Sequence, residues 1–243
     1  MYNNQMQPTP NPGKNLLISC EKGNYVRVPV KTHVITDKDN ITDVCKKYAA
    51  TLMVDEDMLF ISERIVAISQ GRAFPISEIK PSHTANFLVK FVHKSPYGIG
   101  LKSPWTMELA LREAGVARIL FGAILSAITK PFGIKGVFYR VVGKNINAID
   151  GPCSYTLPPY NNYAKLGPSH PKRAAEEIAR AVGHPVVIID ANDLGVNILG
   201  ASDPKISNSF CQEVFRDNPL GQTNEQTPLC IVRRSNLSQF KKQ

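Results

Sequence analysis

The sequence predicts an α+β protein, with mixed sheets and helices in two interlocked subdomains. Three observations lead there. Short apolar, strand-like runs alternate with helical periodicities, without the regular βαβ rhythm of a doubly wound sheet. At 243 residues the chain can bury a sizeable core, as one domain or as two interlocked subdomains. Its composition, 43% hydrophobic and 20% charged, is that of an ordinary globular protein.

Residues 1–14 are rich in Asn, Gln, Pro and Gly and read as a disordered tail. Residues 15–234 form the domain, and 235–243 a basic C-terminal tail. Tyr25 to Val30 alternates as a strand, with Pro29 placing it at an edge or at the strand's end. Asp37 to Met53 has Ile41, Val44, Tyr48 and Leu52 at helical spacing, and Asp37 or Asp39 can cap it. Met58 to Ser62 is a short buried-type strand. It runs into a helix from Glu63 that Gly71 ends.

Ala85 to Val92 fits a helix or a strand, and Ser95 to Gly100 is a loop. Ser103-Pro104 opens a helix with a capping Ser and Pro at the first helical position. That helix continues to about Lys130 with a break at Gly115. Its Trp105, Leu109, Val116, Ile119, Leu120, Ala123, Ile124 and Ala127 predict a core helix, stopped by Pro131 to Gly133. Gly136 to Val142 reads as a strand. Pro171 to Val182 is a helix closed by Gly183, and Val186 to Ile189 a buried strand. A short helix over Asn208 to Phe215 and a last strand over Leu229 to Val232 complete the chain.

Net charge is +9, which suits an anionic partner: nucleic acid, a membrane surface or a polyanionic small molecule. Residues 57 to 145 hold twelve Lys or Arg against five Asp or Glu, spread singly. That pattern fits a phosphate-lined cleft, and equally a solvated basic surface. The five cysteines, Cys20, Cys45, Cys153, Cys211 and Cys230, make neither a CxxC pair nor a disulfide framework, so a reducing cytoplasm is expected. The N-terminus is polar, and the longest strongly apolar run, Ile119 to Thr129, falls far short of the ~20 residues of a membrane helix. No membrane partner is expected. Nucleic acid is disfavoured, because basic and aromatic residues do not interleave and no binding module is recognisable.

Several chemistries fail on spacing. Gly143-Lys144 is a near miss for a P-loop, but Phe138 and Asn145 break it. Asp190 to Gly195 opens like an EF-hand loop, but Leu194 and Ala201 cannot ligate where that loop needs ligands. The histidines (His33, His83, His93, His170, His184) show no zinc spacing, and there is no GxSxG elbow. What remains is oxygen chemistry at two acidic turns, Asn145 to Pro152 and Val186 to Gly195. Each puts a carboxylate, Asp150 or Asp190, at the end of a short apolar run. With Asn192 and Asp193 they suit Mg²⁺ or Mn²⁺. The same residues also serve as Asx-turn formers after strands, which from spacing alone is the more frequent use.

Five segments in order resemble the gamma-glutamyl ligases that lengthen the tail of the deazaflavin coenzyme F-420. Pro29 to His33 resembles that family's opening nucleotide loop, and Asp57 to Arg72 its strand-helix-Gly-Arg segment. Asn147 to Asp150 resembles its NAGID turn, Ile188 to Asn192 its TDTN turn, and Gly221 to Pro228 its last glycine-rich loop. The resemblance spans about residues 25 to 234. It implies a GTP-dependent ligase that activates a carboxylate acceptor as an acyl phosphate, which the amine of L-glutamate then attacks. It implies two divalent ions, Mg²⁺ or Mn²⁺, on Asp150, Asp190 and Gln222. By the same resemblance His33, Glu63, Gly221 and Asn224 would meet the nucleotide and the protein would be a homodimer, while charge adds Arg64, Arg72 and Lys144 as phosphate contacts. Departures fall at Ala191, where the family has Thr, at Asp193-Leu194, where it has Gly-Arg, and at Ile68, where it has Lys. They leave open another acceptor, or a non-catalytic protein that binds a nucleotide or phosphometabolite.

Overall fold

The structure is a computed structural model that describes residues 8–92, 100–134, 136–143, 145–192, 195–221 and 223–235. Its strands are β1 (Leu17–Cys20), β2 (Gly23–Val30), β3 (Met58–Ser62), β4 (Ala73–Pro75), β5 (Tyr163–Lys165), β6 (Val186–Asn192), β7 (Gly195–Ala201) and β8 (Leu229–Ser235). Its helices are α1 (Ile41–Tyr48), α2 (Glu63–Ser69), α3 (His83–Leu88), α4 (Pro104–Ala114), α5 (Val116–Thr129), α6 (Val137–Val142), α7 (Pro171–Val182) and α8 (Asn208–Val214). The fold is α+β, as the irregular strand and helix order predicts. The chain divides into two compact units, Met1–Ser69 with His170–Gln243, and Gln70–Ser169.

The first unit is built on a six-stranded mixed sheet in the order β1-β2-β8-β3-β6-β7. All pairings are antiparallel except β3 with β6, which run parallel from Leu59 opposite Val186 to Ser62 opposite Ile189. One sheet face buries Ile18, Tyr25, Phe60, Val187, Ile189 and Cys230 against Phe210, Cys211 and Val214 of α8 and against Phe215. Phe60 stacks on Phe215 with ring centroids 4.5 Å apart. Each such side chain taken out of water contributes roughly 1.5–3 kcal/mol. Helices α2 and α7 contact the sheet, and α1 packs on both of them. The start of α7 lies directly on β7: a Cβ on Gly200 would come within 2.5 Å of the Pro171 carbonyl carbon and the Lys172 nitrogen.

Local rules explain most boundaries here. Gly183, at φ +78°, closes α7 as expected. Pro29 sits beyond the last β1 partner of β2, which is Val26, so its missing N–H costs no ladder bond on that side. Helix α1 is shorter than predicted and is followed by a 3-10 turn, Ala50–Leu52. Its cap is Asn40, whose side chain accepts from the Thr42 and Asp43 N–H groups, rather than Asp37 or Asp39. Asp39 is committed elsewhere, as described below. Within the N-terminal stretch, Asn11 is buried and its amide donates to Pro219 O (2.8 Å) and Thr227 Oγ1 (2.7 Å).

The second unit packs α3, α4 and α6 with the β4-β5 pair around Met107, Leu109, Leu111, Ile119, Val142, Ile146 and Leu166. Ser103 and Thr106 form a capping box at the start of α4, with Pro104 at the first helical position. Gly115, at φ +82°, breaks the helix where expected. Two expectations are overturned. Val137–Val142 is helical rather than a strand: its Phe138 and Val142, four residues apart, both reach Gly122 of α5. Helix α5 is not a core helix, because only Ile119 and Gly122 are buried and Val116, Leu120 and Ile124 are exposed. The undecided stretch from Ala85 falls in α3 and a following 3-10 turn. Residues 95 to 99 of the predicted loop lie outside the described residues.

Candidate functional site

The register of the six-stranded sheet collects four chain segments at one end. Strands β2, β3 and β6 all finish there, and β8 begins there. Ser62 and Ile189 are the last residues paired between β3 and β6, so Glu63 and Asp190 are the first residues past that parallel pairing, with Asp190 continuing in β6 towards its carboxyl end. This is where open sheets place their ligands. Glu63 opens α2 and is buried, and Arg64 behind it is half-buried.

Alternation along β6 fixes which way its tip faces. Val187 and Ile189 belong to the apolar cluster under α8, and Ala191 packs against it. Asp190 and Asn192 therefore lie on the opposite face. Asn197 of β7 stands directly across from Asp190, which on one sheet face puts their Cβ atoms about 5 Å apart. Ala191, where a hydroxyl is expected, belongs to the apolar side and not to the Asp190 side.

Two loops join this end of the sheet. The Thr32 N–H donates to Gln226 O (3.1 Å), and Gln226 Nε2 donates back to Thr32 O (2.6 Å). Ser62 N–H donates to Pro228 O (2.9 Å), which ties the second loop to β3 as well. In the first loop both ring nitrogens of His33 are engaged, Nε2 with Asp39 Oδ1 and Nδ1 with Tyr48 Oη, each at 2.9 Å. Asp39 also accepts from the Thr36 N–H and hydroxyl. The His33 hydrogen bond and the Thr36 N–H hold the Asp39 carboxyl below the usual carboxylate range. In the second loop Gly221 has φ +77°, and a Cβ there would come within 2.4 Å of the Glu225 carboxyl carbon. Glu225 in turn accepts from the Thr223 N–H (2.7 Å) and hydroxyl (3.0 Å), and the Asn224 amide oxygen meets the same hydroxyl at 3.4 Å. Gln222 lies outside the described residues, as do Lys144, Asp193 and Leu194.

Asp150 and Arg72 belong to the second unit. A 3-10 turn, Ile146–Ala148, leads into Asp150, whose backbone exchanges both hydrogen bonds with Lys165 (3.1 and 2.9 Å). Asp150 Oδ1 accepts from the Gly151 N–H at 2.9 Å. Lys165 is a buried lysine that sequence reading missed. Its Nζ donates to Ala148 O at 2.8 Å, inside the turn that carries Asp150. No motif marks it; only the strand register reveals it. Gly167 lets the chain close on the same turn, since a Cβ would meet Ala148 Cβ at 2.9 Å. Arg72 donates from Nε to Gly167 O (2.7 Å) and pairs with Glu113 (2.9 Å).

The donor chemistry at the sheet end is hard oxygen throughout: Glu63, Asp190, Asn192 and Asn197. Among the described residues no three His, Cys, Asp or Glu side chains form a ready-made metal cage. Magnesium-type ions are commonly held by one or two carboxylates, with phosphate oxygens and water completing the shell, so these residues fit such an ion. Burial pushes the Cys45, Cys211 and Cys230 thiols up to about 12, away from thiolate.

The fold defines a mixed α+β protein whose sheet end gathers the oxygen-bearing side chains of β6 and β7 beside Glu63. A family model described as F420-0:gamma-glutamyl ligase matches residues 29–207, well over half of the chain. The chain belongs to that family. No curated protein matches it.

Proposed function

We propose that the protein is a GTP- and divalent-metal-dependent amide ligase that adds L-glutamate to the carboxylate of coenzyme F-420-0 through an acyl phosphate. The observation that carries this reading is the convergence of Glu63, Asp190 and the two tied loops at one sheet end, in a chain of the gamma-glutamyl ligase family. Bound Mg²⁺ or Mn²⁺ would supply the charge neutralisation that phosphoryl transfer to a carboxylate requires. The chain's own part is positioning. Asp150, Asp190 and Gln222 are the proposed ligands.

His33 cannot point a ring N–H at a phosphate without giving up Asp39 or Tyr48, so its role is to shape the nucleotide loop. Gly221 and Asn224 shape the second loop. Arg64 supplies positive charge behind Glu63. Arg72 is committed to Gly167 and Glu113, so it acts by holding the layer over the Asp150 turn. The absence of a described Ser, His or Cys nucleophile array is compatible with this chemistry, because the amine of glutamate is the attacking group. A homodimer in the cytoplasm completes the reading.

The purified protein is incubated with GTP, Mn²⁺, L-glutamate and F-420-0. The expected result is GDP, phosphate and a glutamylated product, formed only when acceptor and glutamate are both present. GDP release with a different carboxylate would replace the acceptor and keep the class. Metal-dependent GTP binding without turnover under any acceptor would overturn the enzymatic reading.

A further inference from the structure

The loop that leads into β8 is closed by a residue from the other end of the chain. Asn11 stands 208 positions before Pro219 and 216 before Thr227. Its buried Nδ2 donates to Pro219 O (2.8 Å) and to Thr227 Oγ1 (2.7 Å), so one amide group grips both feet of the loop. Thr227 is buried as well, and its hydroxyl donates across the feet to Leu220 O (2.9 Å). Beside them lies Asn218, fully buried. Its carbonyl accepts from the Gly221 N–H (3.2 Å), and its amide donates to Gly221 O (3.0 Å).

The segment that carries Asn11 is itself anchored. The Lys14 N–H donates to Asn11 O (3.0 Å), and Asn15 O accepts from Arg27 Nη2. The same buried guanidinium donates to Val214 O (2.9 Å) and to both oxygens of Asp217, just ahead of the loop. Asn11, Arg27 and the loop all belong to the first unit. A buried acceptor that loses its donor is costly, so removing the Asn11 amide would loosen Pro219 and Thr227 together. Between them lie Gly221 and Asn224, and Gln226, which is tied to Thr32 of the first loop. We infer that Asn11 is a positioning residue: by clamping both feet it fixes the shape of the loop between Pro219 and Thr227. Resting on the ligase reading above, that shape sets the affinity for metal-bound GTP.

Amide hydrogen exchange is followed by NMR in the ligand-free full chain, and Mn²⁺-dependent GTP binding by calorimetry. Wild type is compared with Asn11→Ala and with Thr227→Val, which keeps the side-chain shape and removes the hydroxyl. In both variants exchange quickens about tenfold or more at Gly221 and Thr223, whose N–H groups are bonded to Asn218 O and to Glu225. Amides of β3 and β8 keep their wild-type rates, which a loss of overall stability would not spare. GTP affinity falls about tenfold or more. Thr227→Ser, with its hydroxyl, stays close to wild type in both readouts. Asn11→Ala and Thr227→Val combined do less than the sum of the two, because the side chains share a bond. Unchanged exchange at Gly221 and Thr223 in Asn11→Ala overturns the inference. So does equal quickening throughout the sheet, or a loosened loop that binds GTP as wild type does. Should wild type bind no GTP, the ligase reading fails, and the exchange comparison alone decides whether Asn11 clamps the loop.

Discussion

Glu63 and Asp190 are neighbours through backbone register: each is the first residue past the last paired positions, Ser62 and Ile189, of the parallel strands β3 and β6. Neither residue gets there by a local motif. The parallel pairing puts the two carboxylates at one strand end, beside the loops tied by Thr32 and Gln226. Glu63→Gln should therefore weaken metal-dependent nucleotide binding, by roughly the 10–100-fold that outer ligand partners contribute. Calorimetric titration of GTP with Mn²⁺ checks it, with Tm measured alongside because Glu63 is buried.

The His33–Asp39 pair makes the loop that follows β2 sensitive to acid. Asp39 has a carboxyl held below its ordinary value by His33 and the Thr36 N–H. A depressed carboxylate stabilises the fold above its unfolded pKa of about 3.9, and that contribution fades as pH falls through the lower folded value. Asp39→Asn should then lower Tm relative to wild type at pH 6–7, an interval chosen to lie above about 3.9. The gap should close as the pH is taken below the folded value. Parallel thermal melts across acid pH give the comparison.

Arg233 guards a buried charge. It donates from Nε and Nη2 to the two oxygens of Asp57 (2.8 and 2.7 Å), and the Asp57 side chain is fully buried. Removing the guanidinium leaves that carboxylate uncompensated, which costs about 3–5 kcal/mol. Arg233→Ala should lose that much in urea unfolding, and Arg233→Ala with Asp57→Asn together should recover part of it.

Gly200 is a contact point rather than a hinge. Its Cβ position is already filled by the Pro171–Lys172 backbone at 2.5 Å. Gly200→Ala should cost about 1–3 kcal/mol by overpacking, whereas Gly195→Ala, with nothing within 4 Å, should leave Tm nearly unchanged. Melting the two variants side by side separates the packing effect from the general effect of adding a methyl group.

Much of the fold could be read from local chemistry. Pro171 to Gly183 announces α7 by its first proline and closing glycine, and Met58 to Ser62 is bounded as expected. The errors come from what a single segment cannot say. The Val137–Val142 run is β-branched and aromatic enough for a strand, and only Gly122 of α5 provides the flat surface that makes it a packed helix. The periodicity of α5 shows that one face is apolar but not that the chain buries it. Asp150 and Asp190 stood out in the sequence because each follows an apolar run. Lys165, Asn197 and the Asp39–Tyr48 clamp on His33 depend on register and tertiary contacts that leave no spacing in sequence.

The two acidic turns carry the central claim, and one measurement addresses it directly. Mn²⁺-dependent GTP binding is titrated by calorimetry for wild type, Asp150→Asn and Asp190→Asn, with circular dichroism confirming that all three are folded. The account predicts that wild type binds GTP only with the metal present and that each substitution lowers affinity by more than about 100-fold, beyond the loss expected for an outer ligand partner. Two folded variants that bind metal and GTP as wild type does would contradict it.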